Sequence, residues 1–208
     1  KQPPITSLSL LKKTMLAQRG WSESELTPPT LSQIDWSQAK FSSQQLQKAI
    51  KLIGQMRQEK KKVLIYGDYD VDGQTATSIM WLGLRAYGLS STPFIPDRFK
   101  HGYGMSELAL KEIFAREKPD LIITVDNGIS ARQALDFCYQ KQIPVIVSDH
   151  HQLSDTKIKA ATLIHSTALS GAAVAWYLVY QLLLADNHPQ ALSIASELLD
   201  LVCLGTIV

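Results

Sequence analysis

Seven residues of types that bind cations or move protons fall into three tight groups. Asp68, Asp70 and Asp72 alternate in "GDYDVDG", Asp126 stands in "VDNG", and Asp149, His150 and His151 are consecutive in "SDHHQ". A lone aspartate after a strand is ordinarily a turn or cap residue, and a lone histidine a satisfied structural imidazole. Carboxylates gathered in one place raise each other's pKa unless a cation compensates, so three such groups at equivalent positions read as a metal centre. Aspartate oxygens with one or two imidazoles and no thiolate favour Mn2+, then Mg2+, over a closed zinc site. The donors exceed what one ion needs, and two ions sharing a carboxylate suit phosphoester hydrolysis. In extended chain the alternating aspartates would point to one side, with Gly67 and Gly73 admitting tight backbone around them.

Elements that bring the groups together are legible from the apolar pattern. "VLIY" at 63–66, "STPFI" at 91–95, "LIITV" at 121–125 and "VIVS" at 145–148 are short runs rich in β-branched residues. Amphipathic segments of helix length lie between them, at 75–87, 106–116 and 130–141. Nearly all-apolar strands alternating with helices predict an α/β fold: a parallel sheet flanked by helices. Three of the four runs end in one of the acidic groups, and ligands of open parallel sheets bind beyond the carboxyl ends of the strands. Helices are also expected at 171–185 and 189–204. The first sixty residues read as a helical extension: an amphipathic segment at 8–20 stopped by Gly20, a proline-broken connection at 26–36, and a helix capped by Ser42 or Ser43. That divides the chain into an extension, 1–60, and a chemistry-bearing core, 61–208. Lys60, Lys61 and Lys62 complement the end of the capped helix, with a grip on phosphate as the sharper reading.

Composition bounds the rest. The chain has 208 residues, is 45% hydrophobic and carries a formal charge of +2, so any nucleic-acid groove would be a local feature. Cys138 and Cys203 are far apart in apolar surroundings, which predicts buried thiols in a reducing compartment, the cytoplasm. No apolar stretch reaches the ~18 residues of a membrane span. The start lacks both a signal-peptide pattern and a methionine, and the end falls on the apolar run "LVCLGTIV"; both predict an excerpt of a longer chain.

In their order, "GDYDVDG", "IPDRFKHGYGMS", "VDNG", "DHH" and "LSGAAVAWYL" resemble the DHH phosphoesterase superfamily, and within it the RecJ-like single-strand exonucleases. The likeness runs from "LAQRGW" to the end of the chain. It implies a Rossmann-like catalytic core with two divalent cations that removes nucleotides from the 5′ end of single-stranded DNA in recombination and repair. It implies that Asp70 and Asp126 hold one ion and that Asp72, Asp126 and His150 hold the other, Asp126 bridging. Asp68 would ligate or support the first motif, Asp149 would orient the histidines, and His151 would face the scissile phosphate or the leaving oxygen. Asp126, His150 and His151 are thus the catalytic set.

Four further positions carry two readings each. Arg98 suits a bidentate phosphate contact or a surface salt bridge. Tyr103 suits base stacking or a plain turn. Ser170 and Gly171 open a helix whose N–H groups suit a phosphate, though close helix packing explains the same small residues. Two departures from the RecJ-like pattern stand out. A further ligating aspartate is expected beyond Val208, and 152–169 is short, with "IHST" where Asn-Pro is more usual; His165 there reads as a loop variation. The rivals are a DHH phosphodiesterase for short oligoribonucleotides or cyclic dinucleotides, and an inactive scaffold of a replication complex. The first aspartate of "GDYDVDG" counts against the former and the full ligand set against the latter. Repair or replication proteins are the expected partners.

Overall fold

The computed structural model describes residues 8–20, 31–153 and 158–207. They fall into two compact units that divide after Asp35. The first holds helix α1 (Leu8–Gln18), followed by Gly20 at φ 69°, and a 3-10 turn at Leu31–Gln33. Most of the expected proline-broken connection lies outside the described residues.

The second unit is built on five parallel strands: β1 (Val63–Tyr66), β2 (Ser91–Phe94), β3 (Leu121–Val125), β4 (Val145–Asp149) and β5 (Thr162–His165). Their order is β2-β1-β3-β4-β5. Chain direction across the sheet reverses between β1 and β3, the switch point where open α/β sheets leave a crevice. Register aligns Ile65 with Ile123, and Ile123 with Ile146, all fully buried. On one face Leu64, Tyr66, Ile122, Val145 and Val147 pack against α5 (Glu107–Arg116) and α6 (Arg132–Gln140). The other face carries α3 (Val71–Ala86) and α7 (Gly171–Ala185). Burial on both faces is why the strands are apolar throughout rather than alternating. The helix α2 (Ser43–Gln58), capped by Ser42, packs on β5 and α7 in this same unit. Trp36 and Phe41, just before it, set their rings on Trp176 and Tyr177 of α7.

Four expectations need correction. The helix after β1 begins at Val71, not near 75, so Asp70 is its N-cap and Asp72 lies in its first turn. The aspartates therefore do not alternate along extended chain; the capping carboxylate turns the backbone into a helix between the second and third. The region read as a loop variation contains β5, whose "TLIH" is too short to stand out until β4 and α2 cover it. The C-terminal helix is two: α8 (Ala191–Glu197) and α9 (Leu199–Ile207). Cys138 is buried, but Cys203 is exposed: among the described residues of α9 only Gly205 is fully buried.

The lysine cluster sits at the start of β1, opposite the acidic ends. Lys61 pairs with Asp120 and Lys62 with Glu117, so these charges serve the strand entrance. No helix among the described residues is long and apolar enough to cross a membrane.

Candidate metal centre

Asp68 follows β1 and is 1% exposed. Its Oδ1 accepts the Tyr69 N–H, while Oδ2 is buried without a partner. Burial, opposed by that hydrogen bond and aided by repulsion from Asp70, raises its pKa. Gly73 is required beside it: a Cβ there would come within 2.5 Å of Asp68 Cβ and 2.7 Å of its Cα. Asp70 is exposed, and its Oδ1 accepts the Gly73 N–H at the start of α3.

Asp126 follows β3 in the left-handed region, φ 61°, a conformation that aspartate tolerates better than most residues. The turn throws its carboxylate beneath the start of α7. A Cβ on Gly171 would run into that carboxylate, so only glycine fits. Asp126 Oδ1 is buried without an aligned hydrogen bond, although His150 Nε2 lies 3.2 Å away. Burial pushes the Asp126 carboxyl up to about 6, against the pull of His150. The same contact raises the His150 imidazole. Asp72 approaches from the other side, its Oδ2 3.6 Å from His150 Nε2.

Asp149 closes β4 and is 1% exposed. Oδ2 accepts the Ile129 N–H at 2.9 Å; Oδ1 accepts the N–H groups of His150 and His151 and contacts His151 Nδ1 at 2.7 Å. It thus fixes the His151 ring directly and His150 only through the backbone. On its far side, His151 Nε2 meets the Tyr103 hydroxyl at 3.0 Å. Burial and the surrounding carboxylates push that phenol up to about 12, which keeps it a donor.

Donor atoms of Asp126, His150 and His151 all lie within 4.8 Å of one another. Among the described residues no lysine or arginine forms an ion pair with Asp68, Asp70, Asp72, Asp126 or Asp149. Two buried carboxylates with orphaned oxygens and raised pKa values fit a divalent ion with an oxygen-and-imidazole donor set.

The profile "DHH family, N-terminal domain" matches residues 62–206. The chain belongs to the DHH family. It is 34% identical, over 95% of its length, to the single-stranded-DNA-specific exonuclease RecJ of Escherichia coli (strain K12), of which it spans 36%. A crystal structure of exonuclease RecJ bound to manganese superposes with a TM-score of 0.70 at 33% identity, covering 78% of this chain and 42% of that one. RecJ of Thermus thermophilus in complex with Mn2+ gives 0.69 at 28%, covering 92% and 27%. The chain thus spans about a third of its curated RecJ relative.

The remaining candidates of this DHH chain divide. Arg98, in the short helix α4 (Arg98–His101), forms no salt bridge with a described residue and lies over the Tyr69 ring, 5.3 Å from its centroid. Tyr69 in turn meets Tyr103 edge-on at 6.3 Å. Arg98 and Tyr103 therefore border the cleft through one aromatic chain. Ser170 caps α7 and bonds Thr206. The N–H groups of Gly171 and Ala172 both donate to Asp72 at 2.7 Å. The phosphate seat expected there is occupied by the protein's own carboxylate, since Asp72 supplies the anion that the helix terminus favours.

One residue escaped the sequence reading, and another was read there only as a loop variation. Asn127 donates through Nδ2 to the carbonyls of Tyr66 and Val125, holding the ends of β1 and β3 together beneath the cleft. The "NG" after Asp126 was its only signal. His165, whose ring meets the His151 carbonyl, lacked a signal because its strand did.

Proposed function

We propose that this chain is the catalytic core of a metal-dependent nuclease that degrades single-stranded DNA from the 5′ end, in DNA recombination and repair in the cytoplasm. One observation carries the reading: at the β1/β3 switch point, Asp68 and Asp126 are buried with no lysine or arginine among the described residues paired to them, and Asp126 clusters with His150 and His151. The names of its RecJ relatives support the substrate. The chemistry belongs to residues 61–208, with 1–60 as the extension from which α2 packs onto the sheet.

Asp68, Asp70, Asp72, Asp126 and His150 would hold two divalent cations, Mn2+ in preference to Mg2+. Such ions supply Lewis acidity and lower the pKa of water at a phosphodiester. Asp72 can ligate although both oxygens accept N–H groups, because a carboxylate offers about four lone-pair directions. Asp149 accepts the His151 Nδ1 proton and so presents Nε2 toward the cleft. With the Nδ1 proton held by Asp149, that atom accepts from Tyr103; once Tyr103 gives way it would take a proton from water, and the imidazolium so formed would hand that proton to the leaving 3′-oxygen. Arg98 and Tyr103 would receive phosphate and base at the rim. Repair or replication proteins are the partners to seek.

The test is long single-stranded DNA labelled at the 5′ or 3′ end in parallel, with Mn2+, beside Asp126→Ala. Early release of labelled mononucleotide from the 5′-labelled strand alone, abolished in the variant, is expected. Faster turnover of short oligoribonucleotides than of long DNA would favour the oligoribonucleotide rival, and no metal binding would favour the scaffold.

A further inference from the structure

The polar groups of the turn carrying His150 and His151 divide between two strands. Its donors, the N–H groups of both histidines, are held by the Asp149 carboxylate at the end of β4. Its outward acceptor, the His151 carbonyl, is met by His165 Nε2 at 2.7 Å. His165 is the last residue of β5 and pairs in register with Asp149, so strand pairing aims the imidazole at that carbonyl. A carbonyl only accepts, which places the proton of this contact on Nε2.

The geometry points to His165 as a positioning residue that fixes the His150–His151 turn through the His151 carbonyl. The reason lies in what hangs from the turn. His150 reaches Asp126 and Asp72 on one side, and His151 reaches Tyr103 on the other. Both rings are aimed by one short backbone segment beyond the last residue of β4. With Asp149 alone that segment is held only by its donors and can pivot about them. Clamping its carbonyl removes the pivot, and displacements of ~1 Å at such a site cost on the order of 100-fold in rate. The strand that carries the clamp is itself anchored at both ends. Thr162 Oγ1 bonds Gln45 of α2, and the Ser166 N–H reaches the Asp149 carbonyl.

The test compares His165→Leu, which fills the volume without a donor, with His165→Gln, which keeps a donor at similar reach, in the intact protein. Backbone amide exchange over 149–153 is read beside peptides from β1 and β3. The steady-state kinetics of Mn2+-dependent hydrolysis of 5′-labelled DNA are read in parallel. In the leucine variant exchange at 150–152 is expected to quicken about tenfold with β1 and β3 unchanged. Its kcat is expected to fall about 10- to 100-fold, with KM within about twofold. The glutamine variant should stay within about threefold of the parent in both. Unchanged exchange at 150–152 in the leucine variant would overturn the proposal. So would loss of protection across the whole sheet, or equal impairment of the two variants. The kinetic arm rests on the nuclease reading, whereas the exchange arm does not and decides the proposal even where no cleavage is seen.

Discussion

Asp149 shows how one carboxylate organises a site without facing it. Four N–H groups converge on it, from Ile129, His150, His151 and the His151 ring. In Asp149→Ala those donors lose their acceptor inside the protein, and each buried unsatisfied group costs roughly 1–3 kcal/mol. Since the turn can relax toward water, a net loss of about 3 kcal/mol is expected in urea unfolding. Asp149→Asn should lose about half as much, because its amide nitrogen would confront one of the donors. A stability equal to that of the parent in both variants would mean that the turn is held otherwise. Tyr103 separates two roles by its own chemistry. Its ring is 59% exposed and its hydroxyl bonds His151. Base stacking on an aromatic contributes about 1–3 kcal/mol, so Tyr103→Ala should weaken single-stranded DNA binding by about tenfold or more in fluorescence anisotropy. Tyr103→Phe keeps the ring and should bind within about twofold of the parent; equal weakening in both would place the affinity in the hydroxyl.

The central strands were legible through their burial, whereas at the sheet edges the half-exposed β2 was read from "STPFI" and the better-buried β5 was missed. β1 and β3 follow the runs "VLIY" and "LIITV" residue for residue, because strands covered on both faces admit only apolar side chains. The acidic groups were legible for the same reason: polarity returns abruptly where each strand leaves the sheet. β5 was not legible, since "TLIH" offers only two apolar residues between polar ones and its burial comes from β4 and α2. The start of α3 was misplaced because Asp70 and Asp72 read as ligands, while their local effect, capping a helix and lying in its first turn, is equally physical. Helix packing shows the same dependence on context in two glycines of helical backbone. Gly83 of α3 lies against Val179 of α7, where an added Cβ would come to 2.5 Å of Cγ2 and 3.0 Å of Cβ. Valine is stiff at χ1 and cannot swing away, so Gly83→Ala should destabilise by about 1–3 kcal/mol despite alanine's better helix propensity. It should also lower activity, because α7 carries Gly171 against Asp126. Gly54 of α2 meets only the Tyr87 hydroxyl, at 3.4 Å. Gly54→Ala should therefore stabilise by about 0.5–1 kcal/mol. Thermal unfolding of the pair checks both signs, and a stable Gly83→Ala would show that α3 and α7 can part freely.

For the whole molecule, the near-neutral charge of +2 hides a cleft of unbalanced acid, and global stability should report it. Without metal, Asp126 titrates at about 6 in the folded chain, against an ordinary value near 3.8. Between those values the folded state holds a proton that the unfolded state has released, so stability falls as pH rises. The contribution is fully present below about pH 4 and gone above about pH 6, a span on the order of 3 kcal/mol. His150, raised by the same contact, loses its stabilisation only as pH rises past the ordinary imidazole range; the pair titrates together, so this extends the window upward rather than adding a second sum. Urea midpoints in EDTA should accordingly decline from about pH 4 through about pH 6 and on past the ordinary imidazole range in the parent. Asp126→Asn should decline less, keeping only the part that the raised Asp68 contributes, and be the more stable protein at the upper end of that range. Adding Mn2+ there should reverse the parent's loss, by about 2.7 kcal/mol at about one hundred times the dissociation constant, and leave the asparagine variant nearly unmoved. Parallel pH curves for the two proteins in EDTA would show that Asp126 is ionised throughout. An equal Mn2+ gain in both would place the ion elsewhere. The joint pattern, a metal-free penalty that shrinks on removing one carboxylate and is relieved by the ion only when that carboxylate is present, is what distinguishes a cleft built around a cation from one that is merely acidic.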